Sequence, residues 1–153
     1  MACLSLCVSL SRQLAAQDSL AKYEAQYELE HDPVAKAKIL SKSGHLELDQ
    51  VRTDLKMDNE EQALSELEHY RDEVESAVKA LSATGVNAEK HPAGFKELQI
   101  SLRQTLRRVD DVINSLPYDK RPWFQAVRSD LAKSQAMLMD QLFPEKGPKK
   151  ADP

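Results

Sequence analysis

The chain has 153 residues and a net charge of −4, a length sufficient for one domain whose core needs neither disulfide bonds nor a metal. The acidic balance argues against a nucleic-acid partner, because nucleic-acid binders concentrate basic charge in one domain or stripe. Aromatic residues amount to 5%, glycines number 4, and no run alternates β-branched residues, so we predict an all-α protein.

Residues 1–16 predict an export segment. They contain the apolar run ACLSLCVSL, which is too short to span a bilayer but has the length of a signal-peptide core. The small residues Ala15 and Ala16 precede Gln17 and offer a cleavage site. We therefore expect an exported, periplasmic protein without a transmembrane helix in the mature chain.

A cytoplasmic protein with a packed or frayed N-terminal segment is the alternative. Arg12 follows the apolar run, whereas signal peptides carry their basic residues before it. A start codon assigned too far downstream would explain this order. Cleavage would remove Cys3 and Cys7, which are both cysteines of the chain, and would leave no thiol chemistry.

Helical periodicity predicts a short N-terminal helix and four longer ones. The predicted spans are Asp18–Glu30, Pro33–Met57, Asn59–Ser82, Pro92–Leu116 and Pro122 to the stop at Pro144. Connections that are mostly short imply antiparallel neighbours. The fold class is therefore predicted as an all-α antiparallel helical bundle, or a set of stacked helical hairpins, formed by residues 17–143. Residues 144–153 are predicted to be a disordered tail.

Gly44 lies inside the apolar stripe of the second predicted helix. A glycine in the middle of a helix costs about 1 kcal/mol relative to alanine. Because the apolar phase continues on both sides of it, we predict close approach of a neighbouring helix and not a break.

The second and third predicted helices resemble the helical hairpin of tetratricopeptide-type repeats. The similarity lies in Gly44, in the turn at Asp58-Asn59, and in Ala63, Leu67 and Tyr70. It covers about a third of the chain, and no second copy occurs at a matching period. More broadly, the chain resembles exported bacterial α-helical proteins of unassigned role. These resemblances imply helical hairpins and a binding role.

Two Glu-x-x-His motifs suggest metal chemistry. They are Glu28 to His31 and Glu66 to His69, and with one glutamate from each of two other helices such motifs form di-iron carboxylate sites. The other two glutamates would be Glu47 and Glu97. However, His69 lies about 200° from the apolar face of its helix. A solvated surface is therefore the preferred interpretation.

Basic residues are concentrated in the second half of the chain, where residues 90–133 contain nine Lys or Arg and five acidic residues. A docking patch for an acidic protein or an anionic ligand is one interpretation, since arginine makes planar, multi-donor contacts. Its residues would be Arg103, Arg107, Arg108 and Arg128.

Local ion pairing is the alternative interpretation of the same arginines. Arg107 can reach Asp110 and Asp111, and Arg108 can reach Asp111, at helical spacing. Pairing with the acidic third helix is a further possibility within the bundle.

Trp123 is the only tryptophan of the chain. Its place at a helix start predicts an anchor for the corner between the fourth and fifth helices. An exposed tryptophan beside arginines would instead suit partner binding, so Trp123 joins the candidate partner-binding residues.

Enzyme and cofactor signatures do not occur in the sequence: it has no His-Glu-x-x-His, Gly-rich phosphate loop, Cys-x-x-Cys or nucleophile elbow. The sequence therefore predicts a non-enzymatic interaction or scaffold protein of the cell envelope, without a cofactor. A metal-binding helical bundle that uses the Glu-x-x-His motifs is the alternative function.

Overall fold

A computed structural model describes residues 18–144, which form five helices and contain no strand within that range. Helix α1 covers residues 18–29, and the others are α2 (Pro33–Lys56), α3 (Glu60–Ala83), α4 (Phe95–Ser115) and α5 (Arg121–Leu142). The all-α prediction is confirmed. The predicted export segment lies outside the described residues, and so does the predicted tail apart from Pro144. No helix within residues 18–144 has both the length and the apolar character needed to cross a bilayer.

Helices α2 and α3 form one antiparallel hairpin, and α4 and α5 form a second. The hairpins pack side by side, with α2 against α4 and α3 against α5. Asp49 of α2 pairs with Arg108 of α4. Further along both helices, Arg52 of α2 pairs with Asp111 of α4. Because both helices advance in the same direction along this interface, α2 and α4 are parallel neighbours.

Helices α3 and α5 are also parallel neighbours. At one end, Lys120 Nζ lies 2.8 Å from Glu60 Oε2, and at the other Gln141 Nε2 donates to Ser82 Oγ at 2.8 Å. The connection of residues 84–94 therefore runs across the diagonal of the bundle, from α3 to α4. The fold is a stack of two helical hairpins. In the four-helix core, the helices within each hairpin are antiparallel, whereas neighbouring helices from different hairpins are parallel.

Two helix starts show how local sequence fixes the element bounds. Asp32, which precedes Pro33 at the first helical position, caps α2, because its Oδ2 accepts the Ala35 N–H at 2.7 Å. Helix α4 begins at Phe95 and not at the predicted Pro92. Gly94 has a φ of +84°, which interrupts the helical path, and Glu97 Oε2 accepts the Gly94 N–H at 2.7 Å.

Helix α4 buries an apolar stripe at helical spacing. Its members are Phe95, Leu98, Leu102, Leu106, Val109, Ile113 and Leu116. Helix α2 buries a wider face than its predicted stripe, including Leu40, Glu47 and Asp54. The reason is that α2 packs against both α3 and α4, so one stripe cannot describe it.

Gly44 lies where Tyr70 of α3 meets α2, and α2 continues through it without a break. A Cβ at Gly44 would lie 2.7 Å from the Tyr70 hydroxyl oxygen and 3.2 Å from the ring carbon that bears it. Tyr70 is fully buried, so it has little room to move away. The predicted close approach is confirmed, and it explains the absence of a side chain at this position.

Helix α1 is held on the first hairpin by Tyr27. This buried side chain donates its hydroxyl to the Glu73 backbone carbonyl at 3.0 Å. Lys36 Nζ of α2 lies 4.4 Å from the centre of the Tyr27 ring, a cation–π distance. Burial and the nearby Glu73 raise the pKa of Tyr27 to about 12, so the hydroxyl keeps its proton and its hydrogen bond at neutral pH.

Candidate functional site

The outer face of α4 carries two arginines that point into solvent. Arg103 and Arg107 are both exposed, and Ile100, about one helical turn before Arg103 on the same side of the helix, is 45% exposed. Among the arginines of residues 18–144, these are the two with no hydrogen bond or ion pair to another described residue. We call Ile100, Arg103 and Arg107 the α4 face.

The other two arginines of the predicted patch tie helices together. Arg108 reaches α2, where it donates to the His45 carbonyl at 3.0 Å and pairs with Asp49. Arg128 of α5 makes a two-point contact with Asp110 of α4 through N–O distances of 2.9 and 3.2 Å. These two side chains therefore contribute to packing between helices.

The predicted local pairing is wrong for Arg108, and the acidic residues assigned to Arg107 pair with other arginines. Asp110 faces Arg128, and Asp111 lies 3.6 Å from Arg52 of α2. The parallel contact of α2 with α4 places opposite charges from different hairpins side by side. Spacing within one helix cannot reveal these pairs, because it contains no information about the neighbouring helix.

Trp123 lies on a different part of the molecule from the α4 face. Its side chain is 65% exposed, so the predicted role as a buried corner anchor is wrong. Arg121 and the buried Phe124 occupy the corner instead, and Arg121 Nε donates to the Leu116 carbonyl at 3.0 Å. Trp123 borders a cleft with Glu60 and Glu61 of α3 and with Lys120, so its charged neighbours there are two carboxylates and one lysine, and no arginine lines the cleft.

A buried carboxyl group lies between α1, α2 and α3. Glu47 is 1% exposed, and neither of its carboxyl oxygens has a hydrogen-bond partner among the described residues. Burial, together with the neighbouring Glu73, Glu24 and Glu66, raises the pKa of Glu47 to about 8. The side chain is therefore mostly protonated at pH 7, because the surroundings penalise its charged form.

Two further ionisable side chains lie close to Glu47. The Tyr70 hydroxyl is buried and makes no hydrogen bond of ordinary length in the described structure. Burial raises its pKa to about 12, although the nearby Thr105 and Ser101 side chains oppose the shift. Glu73 is also buried, and its Oε1 lies 3.6 Å from His69 Nε2. Burial raises the pKa of Glu73, although His69 opposes the shift. The junction under α1 thus holds two buried carboxyl groups whose pKa values burial raises.

The Glu-x-x-His residues do not form a ligand set. Glu28 and His31 are exposed, Glu66 accepts a hydrogen bond from Gln62 at 2.6 Å, and the His69 side chain is 55% exposed. Glu97, the fourth-helix glutamate of the metal hypothesis, caps α4. Within residues 18–144, no group of three or more His, Cys, Asp or Glu side chains is arranged to hold a metal ion.

The described residues thus define an all-α protein with two surfaces of opposite charge, the arginine-bearing α4 face and the cleft beside Trp123. No protein-family model, curated protein or solved structure matches the chain. Functional inference therefore depends on the geometry of these surfaces.

Proposed function

We propose that this chain is a non-enzymatic interaction protein of the cell envelope that binds an acidic protein segment through the α4 face. The observation that carries the proposal is the state of Arg103 and Arg107. Other arginines of the described chain are bound to carboxylates or carbonyl oxygens, whereas these two are exposed and have no described partner. Two guanidinium groups one helical turn apart, neither of them in an ion pair, can each bind a carboxylate through two parallel hydrogen bonds.

Ile100 adds an apolar contact to the same surface. Its side chain is 45% exposed beside the two arginines. Interfaces gain most of their energy from a few anchors, among which arginine is common, and a neighbouring apolar residue helps to exclude water. The expected partner segment therefore combines two or more acidic residues with an aliphatic or aromatic one.

Charge reversal tests the role of the α4 face. We expect the double variant Arg103→Glu/Arg107→Glu to co-purify at least ten-fold less of the partner than the wild type does. The amount of partner is measured by mass spectrometry after affinity purification from the producing cells. The thermal stability of the double variant should change little, because both side chains are exposed and make no described contact. Wild-type binding should also weaken as salt rises, since exposed charges are screened.

The matched control is Lys22→Glu/Lys79→Glu, which changes the net charge equally. Both lysines are exposed, and they lie on α1 and α3. Helix α3 is diagonally opposite α4 in the bundle, so this variant should retain its partner. Equal loss in both double variants would show that net charge alone governs binding and would reject the α4 face.

The envelope location is a separate part of the proposal, and residues 1–16 carry it. We expect the mature protein to fractionate with the periplasm and to begin at Gln17 in mass spectrometry. The variant Leu6→Arg, which places a charge in the apolar run, should leave the precursor in the cytoplasm. A wild-type protein that begins at Met1 in the cytoplasmic fraction would contradict export.

A further inference from the structure

The end of the bundle that contains the α2–α3 and α4–α5 turns exposes several apolar side chains. Trp123 is 65% exposed, Tyr118 is 86% exposed and Met57 is 55% exposed. The contact between Lys120 and Glu60, 2.8 Å long, holds the two turns together. Single exposed apolar residues are normal on a surface, so a binding role at this end depends on the cleft beside Trp123.

Trp123 forms one wall of a cleft of about 220 Å³ between α3 and α5. Leu64, which packs against the core, and the buried Phe124 supply its apolar floor, and Glu60, Glu61 and Lys120 line its rim. The cleft can hold one aliphatic side chain, whose methyl groups would contact Leu64 and the indole. We call this feature the Trp123 cleft.

The rim of the Trp123 cleft favours a cation. Lys120 pairs with Glu60 and also feels the charge of Glu61, but Glu61 is exposed and makes no ion pair or hydrogen bond with another described residue. Asp58 and Asp119 add exposed acidic residues at the same end. An indole face attracts cations, more strongly than other aromatic rings do. An indole beside an uncommitted carboxylate is therefore suited to a guanidinium or ammonium group.

We propose that the Trp123 cleft binds a basic segment of a partner protein. An arginine or lysine of the segment stacks on Trp123 and pairs with Glu61, and an adjacent aliphatic residue enters the cleft over Leu64. This inference is independent of the α4 face, because it concerns different helices and a partner of opposite charge. A chain with both surfaces can bind an acidic partner and a basic partner at the same time, which is how a scaffold protein would act.

A defined peptide tests the Trp123 cleft on the full chain. The probe is Leu-Arg-Leu-Lys-Leu-amide with a fluorescent label on its N-terminal amine, followed by polarisation, and its control, labelled in the same way, replaces both basic residues with glutamine. We expect saturable binding of the basic peptide and at least five-fold weaker binding of the neutral one. Trp123 emission should shift during titration with unlabelled peptide, because it is the only tryptophan.

Matched variants separate this cleft from nonspecific attraction. Trp123→Ala and Glu61→Gln should each weaken binding at least five-fold. Phe143→Ala and Glu75→Gln should not, since they remove an exposed aromatic ring and an exposed carboxylate outside the cleft. No saturable binding to the wild type, or equal affinity for all four variants, would overturn the proposal.

Two other occupants would also overturn it. The first is the C-terminal segment 145–153, which includes three lysines. If this segment filled the cleft, a chain truncated after Pro144 would show altered Trp123 emission and tighter peptide binding. A second copy of the chain would make the emission depend on protein concentration and would give a dimer in sedimentation. We expect neither change.

Discussion

Replacing Glu47 with glutamine is expected to stabilise the fold at pH 8 by about 3 to 4 kcal/mol. The wild-type carboxyl group is buried without a described partner, and its pKa is raised to about 8. At that pH the folded protein must either hold a proton or bury a charge. The glutamine has nearly the same shape and cannot ionise, so this cost disappears.

The direction of the pH effect follows from the raised pKa. The usual pKa of a glutamate is 4.5, and the folded value is about 8. The contribution of protonated Glu47 to stability is therefore complete below pH 4.5 and is lost as pH rises towards 8. From this group alone, the wild type should lose about 3 kcal/mol between pH 5.5 and pH 8. The raised pKa of Glu73 acts in the same direction.

Denaturant unfolding at the two pH values, followed by circular dichroism, measures this effect. The matched control is Glu75→Gln on the exposed side of α3, which should leave the pH dependence as in the wild type. The groups that face Glu47 from the neighbouring helices, Glu24, Glu66 and Glu73, are all acidic. None of them can therefore offset its charge, and a Glu47→Gln protein with unchanged stability at pH 8 would contradict the buried state of this carboxyl group.

Replacing Gly44 with alanine is expected to destabilise the fold by about 1 to 3 kcal/mol. On an isolated helix the same change would stabilise by about 1 kcal/mol. Here the new Cβ would lie 2.7 Å from the Tyr70 hydroxyl oxygen, and the tyrosine is fully buried. Packing therefore reverses the sign that helix propensity predicts.

A second substitution should relieve the clash. In Tyr70→Phe the hydroxyl is absent, and the nearest atoms to an alanine Cβ become ring carbons at 3.2 and 3.3 Å. Tyr70→Phe alone should cost little, because the hydroxyl makes no hydrogen bond of ordinary length with a described residue. The double variant should thus be more stable than the sum of the single effects predicts, by at least about 1 kcal/mol.

The control for this cycle is Tyr27→Phe. Its hydroxyl is also buried but bonds to the Glu73 carbonyl, and the three atoms nearest to a Cβ at Gly44 all belong to Tyr70. Gly44→Ala and Tyr27→Phe should therefore be additive in denaturant unfolding. Equal coupling of Gly44→Ala with both tyrosine changes would argue against a direct contact with Tyr70.

Features determined within one helix could be predicted from the sequence. The α4 stripe keeps its phase over seven buried positions. Asp32 before Pro33 marked the start of α2, and the uninterrupted stripe around Gly44 indicated close approach. These signals depend only on helical period, caps and local backbone chemistry.

Features that arise between helices could not be predicted in this way. The parallel contact of α2 with α4 pairs Arg108 with Asp49, and no spacing within α4 contains that information. Glu47 lies next to the apolar stripe of α2. It is buried because α2 has neighbours on more than one side, so that packing also covers residues outside the stripe. Trp123 follows the corner motif expected of an anchor, yet Phe124 is the buried residue.

The most direct test of the α4 face is photo-crosslinking in the producing cells from a benzophenone amino acid placed at position 104. Gln104 is exposed and lies beside Arg103 and Arg107, and the same probe at Lys79 on α3 serves as the control. We predict adducts from position 104 to an acidic segment of one protein, absent from position 79 and lost with Arg103→Glu/Arg107→Glu. Adducts that survive this charge reversal, or equal labelling from both positions, would contradict the proposed binding face.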